Sequence, residues 1–141
     1  MGLHVRFHGG AKYEILSGDH SVITDQPVEE GGTDAGMSPV ELFVGSLASC
    51  VAYFVGRYCQ RHQIRCEGLA VEADWRMAEQ PHRVGAVALR IRLPERLNPS
   101  ERERLLWVAH GCTVHQSIAG HPSVEIDLIS RRMPSAMAKG Q

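Results

Sequence analysis

Residues 40–55, VELFVGSLASCVAYFV, leave this chain little freedom in how it folds. Only Glu41, Gly45, Ser46 and Ser49 interrupt the apolar residues, and all but Glu41 are small. A helix that is apolar nearly all round does not suit a solvated surface, so it belongs inside a core or between subunits. Its start is written locally. Ser38 fits the N-cap, Pro39 the first helical position, where a missing N–H costs nothing, and Glu41 the third, which completes a capping box. Beyond Val55 the character changes. Arg57, Arg61 and Arg65 recur every four residues, giving a solvated rim whose charges also complement the helix dipole.

The flanking sequence supplies short elements to enclose this helix. His4 to Phe7, Tyr13 to Leu16 and Ser21 to Thr24 are β-type runs punctuated by Gly9-Gly10 and Ser17-Gly18-Asp19, which reads as a meander. Residues 25–37 have loop composition, long enough for a functional or interface loop. Gly68 to Met77 and Val84 to Leu93 alternate as two strands of a hairpin. Asn98-Pro-Ser-Glu101 repeats the cap grammar ahead of a helix from about Pro99 to His110, and Gly111 suits its stop. Cys112 then opens a further short helix, CTVHQSIA, before a last strand from Ser123 to Ile129. The order β-β-β-α-β-β-α-α-β gives an α+β class, as one domain over residues 1–133 with a disordered tail at 134–141.

Composition narrows the function. Lys plus Arg number 15 against 16 Asp plus Glu, so no strong field is available to collect nucleic acid or an anionic membrane surface. The N-terminus lacks the apolar core and cleavage site of a secretory signal, which points to a cytoplasmic address. No apolar run is expected to reach the length of a spanning helix, the longest being interrupted by Gly and Ser and closed by Arg57. Four cysteines in a reducing compartment are buried thiols, metal ligands or reactive groups rather than a disulfide framework.

Cys112 sits at a helix N-terminus, where unpaired N–H groups can bring a thiol from about 8.5 into the range of roughly 3.5–7.5. His115, one turn on, could share its face as base or counter-ion. Cys50 lies twelve residues past the N-cap, where the backbone donors are spent, so any activating charge must come from a tertiary neighbour. By helix position both cysteines also fit the plain reading of a packed small hydrophobe. Cys59, His62 and Cys66 form C-x2-H-x3-C, metal-like residues without an evident fourth ligand. The remaining histidines read as scattered surface or core residues.

The string G-x-S-P-x-E-L-x-x-x-x-L-x-x-C, here Gly36 to Cys50, followed by G-C-T-V-H-Q-S-I-A-G, resembles the OsmC/organic hydroperoxide resistance (OsmC/Ohr) family. The resemblance covers nearly the whole chain in element order. It implies an intertwined homodimer, with two central apolar helices wrapped by sheets from both subunits. It also implies a thiol peroxidase for organic or small hydroperoxides: Cys50 attacks as thiolate, and Cys112 resolves the sulfenic acid as a disulfide. An external thiol reductant then restores both thiols, and neither metal nor organic cofactor is required. Members active as peroxidases hold an Arg at the thiolate with a Glu directly after the Pro, whereas this chain has Val40 there and Glu41 one residue later. Arg6 and Lys12 are the N-terminal cations available in place of that clamp.

The family assignment reverses the order that helix position suggests, and a magnitude bears on this. Lowering a thiol pKa from about 8.5 to about 6 raises the thiolate fraction at pH 7 about 30-fold, but a Brønsted coefficient near ~0.45 cuts its reactivity about 13-fold. Orientation of the peroxide and stabilisation of the leaving alkoxide must therefore carry most of the rate. Three functions remain open: a cysteine peroxidase, a binding or redox-sensing protein with an apolar pocket for a small molecule, and a metal-stabilised module using Cys59, His62 and Cys66.

Overall fold

A computed structural model describes residues 1–131. The first three strands, β1 (His4–Phe7), β2 (Tyr13–Ser17) and β3 (His20–Thr24), form an antiparallel meander in the order β1-β2-β3. Ser17 pairs with His20, so Gly18-Asp19 alone makes the turn, and Gly18 takes the positive φ of 57° that such a tight hairpin demands. The loop that follows is organised by Asp25, only 1% exposed. Its carboxylate accepts the N–H groups of Gln26, Thr33 and Ala35 and the Thr33 hydroxyl, at 2.7–3.1 Å. These donors favour the charged form and hold its pKa down at about 2.

Helix α1 runs from Pro39 to Arg61. Its capping box is formed as the sequence indicates, with the Glu41 N–H donating to Ser38 Oγ (3.2 Å) and the Ser38 N–H to Glu41 Oε2 (2.7 Å). Val44, Leu47, Val51, Val55 and Cys59, spaced three and four apart, make one buried stripe. The opposite side stays open, with Phe43 and Tyr53 exposed, and Arg57, Arg61 and Arg65 lie in solvent as the rim reading requires. One expectation is corrected here: α1 is long and apolar enough, by length and composition, to cross a membrane, with a mean hydropathy of 1.5. Its Gly and Ser residues are too small and too mildly polar to break the run.

Strands β4 (Ala70–Ala78) and β5 (Arg83–Arg92) pair antiparallel, Ala70 opposite Arg92, with an irregularity between Arg76 and Met77. Leu69, Val71, Val87, Leu89, Ile91 and Leu93 pack against the buried stripe of α1. The other face carries an ion-pair ladder, Arg92 on Glu72 at 2.7 Å and Arg90 on Asp74 at 2.5 Å. Helix α2 (Pro99–His110) starts on its own capping box, Asn98 with Glu101, and adds Leu105 and Ala109 to the core. Helix α3 (Thr113–Ala119) follows after a two-residue corner.

The α+β architecture and element order hold, with one departure. Ser123–Ile129 has no regular secondary structure and no strand partner among the described residues. Val124, Ile126, Leu128 and Ile129 stand 78–92% exposed. Alternation makes a segment able to enter a sheet, but a strand exists only where a neighbour supplies the facing N–H and C=O groups. The tail expected at 134–141 lies outside the described residues.

Candidate functional site

The two cysteines that the sequence singles out, 62 residues apart, are neighbours in space. α1 carries Cys50 beside its buried stripe, half-buried and packed on the core cluster that contains Cys112. Cys112 reaches that cluster from the other side, as N-cap of α3 and with no exposed surface. The Cys50 thiol is near enough to raise the pKa of the Cys112 thiol.

The electrostatics at Cys112 overturn the argument from helix position. Burial pushes its thiol above the ordinary value, the His115 backbone N–H (3.3 Å from Sγ) pulls it back in part, and the Cys50 thiol adds to the rise. The backbone N–H groups of Val114 and His115, at the start of a seven-residue helix, do not offset removal from water. Cys112 is thus a protonated, enclosed thiol, and Cys50 the one with access to solvent.

His115 does not act on that thiol through its ring. Its Nδ1 lies 2.7 Å from the His110 carbonyl, which can only accept, so the ring donates there. Gln116 Nε2 donates to the same oxygen at 2.9 Å. His110 in turn places Nδ1 on the Leu106 carbonyl, 2.7 Å away, and its ring stands 5.7 Å from that of His115. This bracing was not legible: His110 read as a scattered residue, and Gln116 stood in the string G-C-T-V-H-Q-S-I-A-G without a role of its own.

An apolar cleft of about 240 Å³ opens between α1, β5 and α2, lined by neither cysteine. Leu47 and Val51 of α1, Val87, Leu89 and Ile91 of β5, and Leu106 and Ala109 of α2 line it, with His110 and His115 at its polar edge. A second cavity, about 290 Å³, lies at the start of α1 between Val40, Glu41, the Asp25 loop and the hairpin residues Trp75, Met77 and His82. Glu41 is held by the cap. Arg6 is paired with Glu14 (3.0 Å) on the meander, which also receives His8 at 2.8 Å. Among the described residues no arginine is hydrogen-bonded at Cys50.

Cys59, His62 and Cys66 do not assemble a cage. Cys59 is fully buried, its thiol pushed up by desolvation, while the His62 ring stacks on Tyr58 at 3.9 Å and sends Nδ1 to the Tyr58 carbonyl. Among the described residues no three His, Cys, Asp or Glu side chains converge on a common metal position.

Comparison with known proteins agrees with this arrangement. The family model for OsmC-like proteins matches residues 31–127, from the Asp25 loop through both cysteines. None of the curated proteins matches the chain. Among solved structures, a Psychrobacter arcticus 273-4 protein described as an osmotic stress induced and detoxification response protein superposes with a TM-score of 0.76 at 27% identity, over 82% of this chain and 85% of that one. An organic hydroperoxide resistance protein OsmC from Legionella pneumophila gives 0.63 at 25% identity, over 85% and 90%. The organic hydroperoxide resistance protein OhrB of Bacillus subtilis shares the fold, with 0.59 at 18% identity over 86% and 93%. The chain belongs to the OsmC-like protein family.

Proposed function

We propose that this OsmC-like protein is a cysteine peroxidase for organic or small hydroperoxides, with Cys50 peroxidatic and Cys112 resolving. The observation that carries the reading is the meeting of the two thiols in one apolar core, on a helix whose Leu47 and Val51 also line an apolar cleft. The Cys50 thiolate attacks the peroxide, so that an S–O bond forms, the O–O bond breaks and the alcohol leaves. The Cys112 thiol then displaces the sulfenic oxygen as water, and the S–S bond forms. An external thiol, as a reducing cytoplasm provides, supplies the two electrons and two protons that restore both thiols. Cys50→Ser should abolish hydroperoxide consumption, and unchanged turnover would overturn the assignment. Cys112→Ser should instead leave an oxidised Cys50 that recycles poorly.

A homodimer is part of this proposal. The open side of α1, with Phe43 and Tyr53, and the exposed Val124, Ile126 and Leu128 leave apolar groups uncovered that a second copy would enclose.

One set of observations favours a second reading, a binding or redox-sensing protein on the same scaffold. Glu41 is engaged in the helix cap, Val40 takes the position after the proline, and Arg6 is engaged by Glu14. That reading requires stoichiometric thiol oxidation without sustained turnover. Continued catalysis with a dithiol reductant would exclude it.

A further inference from the structure

We infer that His115 and Gln116 are positioning residues that hold Cys112 against Cys50, by fastening α3 to the last carbonyl of α2. The inference rests on the two-cysteine reading above for its functional meaning, and on the geometry of the corner for its physical content. α3 has seven residues, none of them buried, and so short a helix has little stability of its own. Its hold on the body comes from Cys112 at its start, from Val114 half-packed on the core, and from the corner itself. There the His110 carbonyl accepts two side-chain donors from the first turns of α3, His115 Nδ1 at 2.7 Å and Gln116 Nε2 at 2.9 Å.

The same residue ties the fastening to the thiol. The His115 backbone N–H donates to Cys112 Sγ, so a ring anchored on His110 fixes the amide that orients the sulfur. Without the two side-chain bonds the corner keeps only backbone contacts, the Gly111 N–H to Trp107 and Val108 and the Cys112 N–H to Ala109 at 3.3 Å. α3 can then swing, and Cys112 spends less time in bonding geometry with Cys50. His115 does not touch the reacting atoms as an acid or base in this role. Its contribution is orientation, which governs the effective concentration of one thiol for the other.

The test uses the full chain equilibrated with oxidised and reduced glutathione. Two protein thiols become a disulfide as one oxidised glutathione becomes two reduced ones, and the Cys50–Cys112 bond is counted by mass. This equilibrium gives the effective concentration without any peroxide. Each net hydrogen bond lost should lower it about three- to tenfold. His115→Leu and Gln116→Met should therefore each show that loss, with thermal melting confirming a folded chain. The decisive variants are the amides: asparagine carries its N–H where histidine carries Nδ1, whereas glutamine carries it near the place of Nε2. His115→Asn should restore the wild-type value and His115→Gln should not, a contrast that a general loss of stability would not produce. The inference is overturned if His115→Leu equals wild type, or if His115→Asn is as poor as His115→Leu. If wild type forms no Cys50–Cys112 disulfide with glutathione, both this inference and the peroxidase reading fail. If it forms one, and the variants behave as stated, while hydroperoxides are not consumed, only the peroxidase reading fails.

Discussion

The burial of Cys112 has a kinetic signature that opposes the one its helix position suggests. A thiol reacts as thiolate, and one held above its ordinary value ionises about tenfold more for each unit of pH below its pKa. Attack by Cys112 on an oxidised or derivatised Cys50 should therefore accelerate about 30-fold between pH 7 and pH 8.5. A thiol brought to about 6 by a helix N-terminus would gain only about one-tenth over the same interval. The step can be isolated by labelling Cys50 with thionitrobenzoate in a Cys66→Ser background, where Cys59 is fully buried and Cys50 is the accessible target. Cys112 displaces the label, and its release is followed by absorbance, while Cys112→Ser serves as the control that retains it. A release rate that levels off at or below pH 7.5 would refute the burial argument. The same shift acts on stability. A raised pKa stabilises the fold fully below the unfolded value of about 8.5 and loses that contribution as pH rises through the folded value, so reduced wild type should decline in alkali more steeply than Cys112→Ser.

Asp25 titrates in the opposite sense. With its pKa held down at about 2, its contribution is full above the unfolded value of about 3.9 and disappears as pH falls toward 2, so the melting-temperature advantage over Asp25→Asn should shrink across that window. A constant difference would show that the four donors do not depend on the charge. Val55→Ala removes two carbons from a fully buried site in the second half of α1, at about 0.8 kcal/mol per methylene plus the cavity, and urea unfolding should show a loss of about 2–3 kcal/mol. Glu41→Gln keeps an acceptor in the capping box and should leave hydroperoxide turnover unchanged, whereas a tenfold fall would move Glu41 from helix cap to chemistry. Ile126→Lys places a charge on the uncovered 123–129 segment, so if the proposed homodimer uses it, sedimentation should show a shift from dimer toward monomer, and an unaffected dimer would remove this segment from the interface.

What the sequence made legible was local. The starts of α1 and α2 could be read to the residue because the N-cap, the proline and the acid three positions on satisfy orphan N–H groups within a single turn. The β4–β5 hairpin was legible because its inward residues alternate and its outward charges pair across the strands. Ser123–Ile129 carries the same alternation, but pairing is not a local property, and among the described residues no strand pairs with it. The cavity at the start of α1 joins residues from the Asp25 loop and from a hairpin some forty residues later, a juxtaposition that no spacing announces. The bracing of the α2–α3 corner escaped for another reason: Gly111 ends α2 as the sequence indicates, at an ordinary φ of −83°, but the side chains beyond it that fasten the corner carry no local pattern.

The sequence argument and the structure disagree about which thiol is activated, and the disagreement shows how the labour can be divided. A peroxide must reach its nucleophile, and of the two only Cys50 has exposed surface, on the helix whose Leu47 and Val51 line an apolar cleft. Cys112 is enclosed and protonated, which makes it a poor attacker of a dilute peroxide and protects it from oxidation beyond the disulfide. Neither property hinders a resolving role. A sulfenic sulfur held beside it is already electrophilic, and its local concentration far exceeds that of any soluble thiol, so a small ionised fraction suffices. The partition also requires that the corner carrying Cys112 be stiff, because a thiol with so little thiolate depends on its orientation. On the peroxidase reading proposed above, burial would select Cys50 for the first step, and the inferred fastening of α3 to the His110 carbonyl would let Cys112 perform the second.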